Sequence, residues 1–381
     1  MTDAPLVIAG AGIGGLALAA ALRRGSRPAL VLEERDDPGE AGAGISLWPN
    51  ALAALDDIGL GDAVRDAGCA TSSGGIRRPD GRWLRRLSSG AVDAALGEPM
   101  VAIHRATLLE LLATGAGTDT VRTGTAVREM RRDTDGVTVT TADGATLTAD
   151  GLIGADGIRS VVARHLDPGL RWRYSGYTAW RAVADIGLGG AEPAETWGPD
   201  GEFGYLALGP DRTYWFASQL AAEGQQADSE LDHLADRLAG WHEPIGKLLA
   251  GTAPDAVLRH DIHDRDLPRR WASGRVVLIG DAAHPMRPHL GQGGCQAIID
   301  AVVLARLIKA TNDRPTAFAR FDAARRRTVT RIVRQSALTG RALHARWPIG
   351  AAMTALARGV PEPLLLRQLA VVAGANAYHP A

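Results

Sequence analysis

Two cysteines in 381 residues exclude a disulfide framework and a cysteine zinc site, so Cys69 and Cys295 are expected as free thiols. Neither sign of charge is in excess. The 42 basic and 43 acidic residues leave a formal charge of -1, which gives no electrostatic footprint for nucleic acid. No uninterrupted apolar run reaches the length of an integral membrane segment. Met1 to Pro5 lack the basic, apolar and cleavage regions of a secretory signal, and the expected location is cytoplasmic. No internal repeat or low-complexity linker is evident. What is present is a 46% hydrophobic composition, enough for substantial cores, in a length that suggests about two domains. Small molecules are the expected partners.

LVIAGAGIGGL reads as an apolar strand, Leu6 to Ala9, then a glycine-rich turn and an Ala/Leu-rich helix that ends near Gly25. Gly10, Gly12 and Gly15 have the GxGxxG spacing that lets a backbone turn tightly against a pyrophosphate at a helix N-terminus. A second strand, Ala29 to Glu33, ends in an acid at roughly the 20-residue offset where a carboxylate meets a ribose hydroxyl pair. This is a βαβ opening suited to the adenosine half of a dinucleotide. Trp48-Pro49-Asn50 introduces another helix, and VAIHRATLLELL starts extended and turns helical at Arg105, an arginine placed to clamp a phosphate or ribose. A further strand and turn appear at Leu152-Ile153 and Gly154-Ala155-Asp156-Gly157.

From Arg171 the chain becomes rich in aromatic and β-branched residues, as in YSGYTAWRAVADI and RTYWFAS, which predicts an antiparallel sheet interrupted by a helix around Leu231 to Leu238. The hairpin expected over Ser72 to Leu87 is assigned to the same region. At Arg275 the chain returns to the nucleotide domain. The strand VVLI runs into Gly280-Asp281-Ala282-Ala283-His284, which puts Asp281 just outside a strand's carboxyl end, where ligands sit in open α/β sheets. Gly291, Gly293 and Gly294 then permit close backbone approach at the start of a helix. His284 reads as a packed or hydrogen-bonded histidine, and no carboxylate or cysteine stands at ligand spacing beside it or His289, so no metal is expected. Arg320, Arg325, Arg326, Arg327, Arg331 and Arg334 read as a solvated helix face. The amphipathic segment Leu343 to Val372 reads as core or lid packing.

Together these residues resemble the flavoprotein aromatic hydroxylases, the single-component FAD monooxygenases that include the para-hydroxybenzoate, salicylate and urate hydroxylases. The salicylate and urate hydroxylase and zeaxanthin epoxidase branch is the most similar in flavour. The resemblance runs from Leu6 to about Ser336 on three ordered fingerprints: GAGIGG with Glu33, GADG at Gly154 to Gly157, and GDAAHPMRPHLGQGG. It implies a mixed α/β (α+β) fold: a Rossmann-like FAD-binding domain with an inserted antiparallel-sheet substrate domain and C-terminal helices. The expected boundaries are 1–71, 98–170 and 272–330 for the FAD-binding domain, 72–97 and 171–271 for the substrate domain, and 331–381 for the C-terminal helical segment.

Carried onto this chain, the resemblance places Gly10, Gly12, Ile13, Gly14 and Gly15 at the FAD pyrophosphate and Glu33, with Glu34 beside it, at the adenine ribose. Val127 would meet the adenine through its backbone, Arg105 the phosphate or ribose region, and Asp281 the ribityl chain or pyrophosphate. Asp156 would serve FAD and the nicotinamide donor, and Ser46 would touch the cofactor. Pro288, Gly291, Gln292, Gly293 and Gly294 would line the isoalloxazine. Substrate is expected between the aromatic sheet and this loop, against Arg181, Glu202, Tyr205, Tyr214 and His289, with Tyr205, Tyr214 and Pro288 as catalytic candidates and no base assigned. Glu202 stands where relatives often carry arginine, which speaks against an acidic substrate.

The implied activity takes hydride from NADH or NADPH, reacts with O2 to form a flavin hydroperoxide, and hydroxylates an aromatic or electron-rich small molecule. The same fold performing epoxidation, Baeyer-Villiger oxidation or dehydrogenation is the alternative. An NAD-dependent dehydrogenase would leave the GDAAH segment unexplained, and a flavin-carrying protein without turnover is a reading from another class. Monomer and homodimer both remain open.

Overall fold

The structure is a computed structural model that describes residues 4–27, 29–37, 43–117, 119–199, 201–344 and 359–378. Leu6–Ala9 lies inside a six-stranded sheet, parallel to Ala29–Leu32 on one side and to Gly151–Gly154 on the other. Val276–Leu278 extends the sheet in parallel, Ala272–Ser273 closes that edge antiparallel, and Val121–Arg122 forms the opposite edge. Leu6–Ala9, Gly151–Gly154 and Val276–Leu278 are buried at every position. Continuous burial is what parallel strands covered by helices on both faces require.

Helix Ile13–Arg24 packs against Arg105–Ala116 and against Gly293–Ala310, and the 30-residue helix Arg314–Leu343 packs on the latter. Phe318 and Phe321 of that long helix are fully buried in the same core as Val7, Ile8, Leu152 and Leu304. Segments far apart in sequence thus share one hydrophobic core.

The second body is a seven-stranded sheet. Its spatial order is Leu258–Arg265, Trp172–Ala184, Thr213–Leu220, Gly201–Ala207, Ala194–Trp197, Gly74–Arg77 and Trp83–Leu87. The early hairpin joins through a parallel pairing of Gly74–Arg77 with Ala194–Trp197. Alternation divides the sheet into two faces. Phe203, Tyr205, Trp215 and Trp180 pack under helices Glu230–Arg237 and Ile245–Ala250, and the second of these helices was not anticipated from the sequence. Glu202, Gly204, Leu206, Tyr214, Phe216 and Ser218 occupy the other face, paired across Gly201–Ala207 and Thr213–Leu220.

Of the segment Leu343 to Val372, residues 345–358 lie outside the described residues. Its later part, within helix Glu362–Ala373, packs on Ser89–Leu96 through Leu366 and Leu96. Among the described residues no helix is long and apolar enough to cross a membrane.

Because Phe321 is fully buried beside Trp271, with ring centroids 6.5 Å apart, Phe321→Ala is expected to lower unfolding stability by about 3–5 kcal/mol. Urea titration of the purified protein measures it.

Candidate active site

The glycine turn after the first strand is shaped by contact on one side and left open on the other. Gly10 adopts φ +102°, and a Cβ there would stand 2.5 Å from the Ala155 carbonyl oxygen. A Cβ on Gly15 would come within 2.0 Å of the Gly10 oxygen, so this glycine lets the helix start against its own strand. Gly12 differs, since a Cβ there meets nothing within 4 Å. No contact within the protein requires a glycine there.

Glu33 is buried at the end of its strand, where Oε2 accepts from Ala11 N at 2.7 Å and Oε1 from Arg35 N at 3.1 Å. Its carbonyl accepts from Thr125 N at 2.7 Å, which brings the chain leading to Val127 alongside. Glu34, the next residue, is exposed. Arg105 begins a helix and donates its backbone N–H to the Ala43 oxygen at 2.9 Å, close to Ser46 on strand Gly44–Leu47. Its charge acts on both Asp281 and Tyr214. Asp281 keeps an open face although protein surrounds it; burial pushes its carboxyl up, while His284, Arg105 and Arg265 draw it back. Such a group lines a cleft.

Asp156 spends both oxygens on the helix that follows, accepting from Ser160 Oγ at 2.6 Å and from Val161 N at 2.7 Å. Arg265, unremarked in the sequence, donates to the Ile158 oxygen at 3.0 Å and the Ala282 oxygen at 2.5 Å. One guanidinium from the large sheet therefore ties the GADG and GDAAH turns together.

Asp300 anchors the second turn from below. This fully buried carboxylate accepts from Gly280 N at 3.0 Å and Arg325 Nε at 2.8 Å, and His284 Nε2 stands 2.5 Å from it. Burial alone would raise its pKa, but the charges of His284 and Arg325 hold it below the usual carboxylate range. Arg325 is thus a correction: it is buried and paired, not part of a solvated face, because the long helix turns that side inward. Its Nη2 donates to Gln296 Oε1, whose amide donates to Gln292 Oε1, which also accepts from Asn50 Nδ2 at 2.9 Å. Gln292 Nε2 and Asn50 Oδ1 are left buried and unpartnered at the N-terminus of helix Gly293–Ala310. One donor and one acceptor there await a ligand. Gly291 takes φ +59°, with Trp48 Nε1 2.9 Å from where its Cβ would be, and a Cβ on Gly294 would meet Ile45 at 2.8 Å.

Above this loop lies the sheet face carrying Glu202, Tyr214 and Ser218, with Arg181 on the adjoining strand. A Cβ on Gly44 would touch the Tyr214 ring at 2.4 Å, so the two bodies meet there closely. His289, from the loop, bonds the Tyr177 hydroxyl at 2.9 Å and stands 3.5 Å from Glu202. Pro288 is exposed beside it. Tyr205 is a second correction: alternation turns it to the far face, 1% exposed under the two helices, away from the loop. Glu195, Tyr177 and His344 were missed, although Glu195 follows the same alternating pattern as Glu202. Among the described residues no group of three His, Cys, Asp or Glu side chains is arranged to hold a metal.

A model of the FAD-binding-domain family matches residues 3–336. The chain belongs to this family of FAD-dependent monooxygenases. It is 42% identical over 328 residues to the aurachin C monooxygenase/isomerase of Stigmatella aurantiaca, covering 85% of each chain. It is 34% identical over 307 residues to the 2-heptyl-3-hydroxy-4(1H)-quinolone synthase of Pseudomonas aeruginosa, covering 79% of this chain and 80% of that one. Klebsiella pneumoniae HpxO, solved with FAD and uric acid, superposes with a TM-score of 0.89 at 28% identity over 97% of both chains.

The residues present fit FAD: an open Gly12, a carboxylate at the second strand end, and an orphaned amide pair at a helix N-terminus. Gly12→Val is expected to fold with an unchanged far-UV circular dichroism spectrum but to carry at least roughly tenfold less FAD, because its side chain would fill only ligand space. Flavin absorbance per polypeptide reads the loss.

Proposed function

We propose that this FAD-dependent monooxygenase uses NADH or NADPH to place one atom of O2 on an uncharged, electron-rich nitrogen heteroaromatic ring. The observation that carries this reading is His289, which belongs to the same loop as Gly291 and Gln292 yet reaches the sheet face at Tyr177 and Glu202. Cofactor loop and substrate face therefore share one wall. The quinolone named in the Pseudomonas relative supports a ring bearing nitrogen and a carbonyl.

When bound, FAD supplies the electron transfer and oxygen activation. Glu33 would hold the ribose hydroxyls, Asn50 and Gln292 the polar edge of the ring system, and Arg105 with Asp281 the chain between them. Leu206, Leu208, Phe216 and Tyr214 supply apolar surface that keeps water from the reacting centre. Burial pushes the Tyr214 phenol up, so it keeps its proton and serves as a hydrogen-bond donor to substrate. His289 is held neutral, down to about 4, chiefly by burial, which leaves a ring nitrogen free of charge beside the substrate.

The nicotinamide donor has a separate approach. A cavity of about 300 Å³ opens beside the GADG turn, lined by Arg159, Arg164, Leu170 and Trp172. The Arg159 guanidinium lies 5.5 Å from the centre of the Trp172 ring, a surface suited to a stacked base or a phosphate.

Incubation with 4(1H)-quinolones, NAD(P)H and ¹⁸O2 should give ring-stimulated NAD(P)H consumption and a product carrying one labelled atom; unlabelled product, or no stimulation by any aromatic ring, would refute the reading. Arg159→Ala with Arg164→Ala is expected to raise the KM for NAD(P)H by about tenfold, on the order of 1.4 kcal/mol, at unchanged FAD content. Steady-state kinetics at saturating substrate checks this.

A further inference from the structure

The sheet face above the loop carries two carboxyls whose arrangement requires a proton. Glu195 and Glu202 stand on adjacent antiparallel strands, where Glu202 pairs with Trp197 and Glu195 with Gly204. Both side chains lie on the same face of the sheet, and the two carboxyls are near enough to act on one another. Trp197 Nε1 donates to Glu195 Oε1 at 2.5 Å, and Ser218 Oγ lies 2.8 Å from Glu202 Oε1. His289 provides an independent pointer: its side chain is only 2% exposed, and Nδ1 has no hydrogen-bond partner while it faces Glu202.

Counting hydrogens decides the state of the cluster. Two ionised carboxylates have no proton to place between them. His344 gives its Nδ1–H to the Gly340 oxygen at 3.0 Å, so in the neutral ring Nε2 accepts, 3.0 Å from Ser218 Oγ. Ser218 has one hydrogen for two acceptors. His289 Nδ1–H faces Glu202 and could relieve that contest, but with both glutamates ionised no hydrogen remains to lie between the two carboxyls. Burial, then the Glu202 charge, holds Glu195 well above the usual carboxylate range, in agreement with the count. The groups that face the pair from other elements are Tyr177 on strand Trp172–Ala184, His289 on the loop, and His344 at the end of the long helix; Arg181 and Arg287 act on Tyr177, and Arg287 is itself paired with Asp264 at 3.5 Å.

We propose that Glu195 and Glu202 share a proton and, with the orphan Nδ1 of His289, form the specificity element of the pocket. The pair receives an N–H or O–H of the substrate, and the imidazole Nδ1–H is given to its carbonyl. Glu195 is the member that keeps accessible surface, so it is the one that meets the ligand. A ring carboxylate is disfavoured because it would bring a third carboxyl to a site already holding one negative charge in a dry setting. The substrate class is an uncharged ring with both a donor and a carbonyl. This rests on the proposed monooxygenase reading for its consequence in turnover, but not for the proton itself.

The test uses the FAD-loaded enzyme and the double variant Glu195→Gln/Glu202→Gln, with flavin absorbance as the folding control. Infrared spectroscopy in H2O and D2O is expected to show a buried carboxylic-acid band in wild type that the double variant lacks. Calorimetry is expected to give 4(1H)-quinolone at least about tenfold tighter binding than quinoline-4-carboxylate, with the ratio falling toward one in the double variant. Absence of the band, no binding of the quinolone, or equal or tighter binding of the carboxylate overturns the inference. If the band and the binding preference are both present while no ring stimulates NAD(P)H oxidation, the inference stands and the proposed reaction fails.

Discussion

Asp300 has no accessible surface, and three separate pieces of chain depend on its charge being met. A carboxylate removed from water loses hydration worth several kcal/mol and is tolerated only when donors surround it. Here they are the Gly280 amide, His284 and Arg325, drawn from a strand end, a turn and a distant helix. None of the three can shift without stranding a buried charge. The turn that presents Asp281 to the cleft is therefore set from underneath, and the Arg325 to Gln296 to Gln292 chain extends the same constraint to the start of helix Gly293–Ala310.

Arg265 imposes the complementary constraint from above. It leaves the seven-stranded sheet to bond carbonyls on both the GADG and GDAAH turns, so that sheet and these turns are held in one relation. Burial lowers the hold of a guanidinium on its proton, yet nearby Asp156 and Asp281 favour the charged form. The close seating of Gly44 on the Tyr214 ring completes the joint. A cleft built between two bodies can be dry on one side and polar on the other, and that contrast is what an oxygen-transferring site needs.

How much was legible depended on how local each feature was. The GxGxxG turn, Glu33 and the Asp281 turn announce themselves, because strand, turn and helix signals adjoin them in sequence. Tyr205 was misplaced because alternation states that neighbours face opposite ways without saying which way is inward; a shift of one residue exchanges the faces. Arg325 was misread because an arginine-rich helix looks solvated until a buried acid is found opposite. Asp300 carried the signal for it, a lone acid within the apolar run Ala297 to Leu304. Glu195 shared the alternation of Glu202 but not the partner that gives it meaning, and Tyr177 and His344 carried no signal, since all three matter only when a strand, a loop and a helix end converge.

The sequence by itself determined the family, the cofactor and the strand, turn and helix units that carry its fingerprints, because a dinucleotide is bound largely by backbone turns whose glycines and flanking strands are encoded within a few residues. The tertiary structure alone decided which face of the aromatic sheet meets the loop, which arginine is buried, and how two glutamates come to abut. Those depend on register and packing among segments more than a hundred residues apart, as between Ser218 and His344, and on the rule that a polar group taken from water must find its partner wherever the fold has put one.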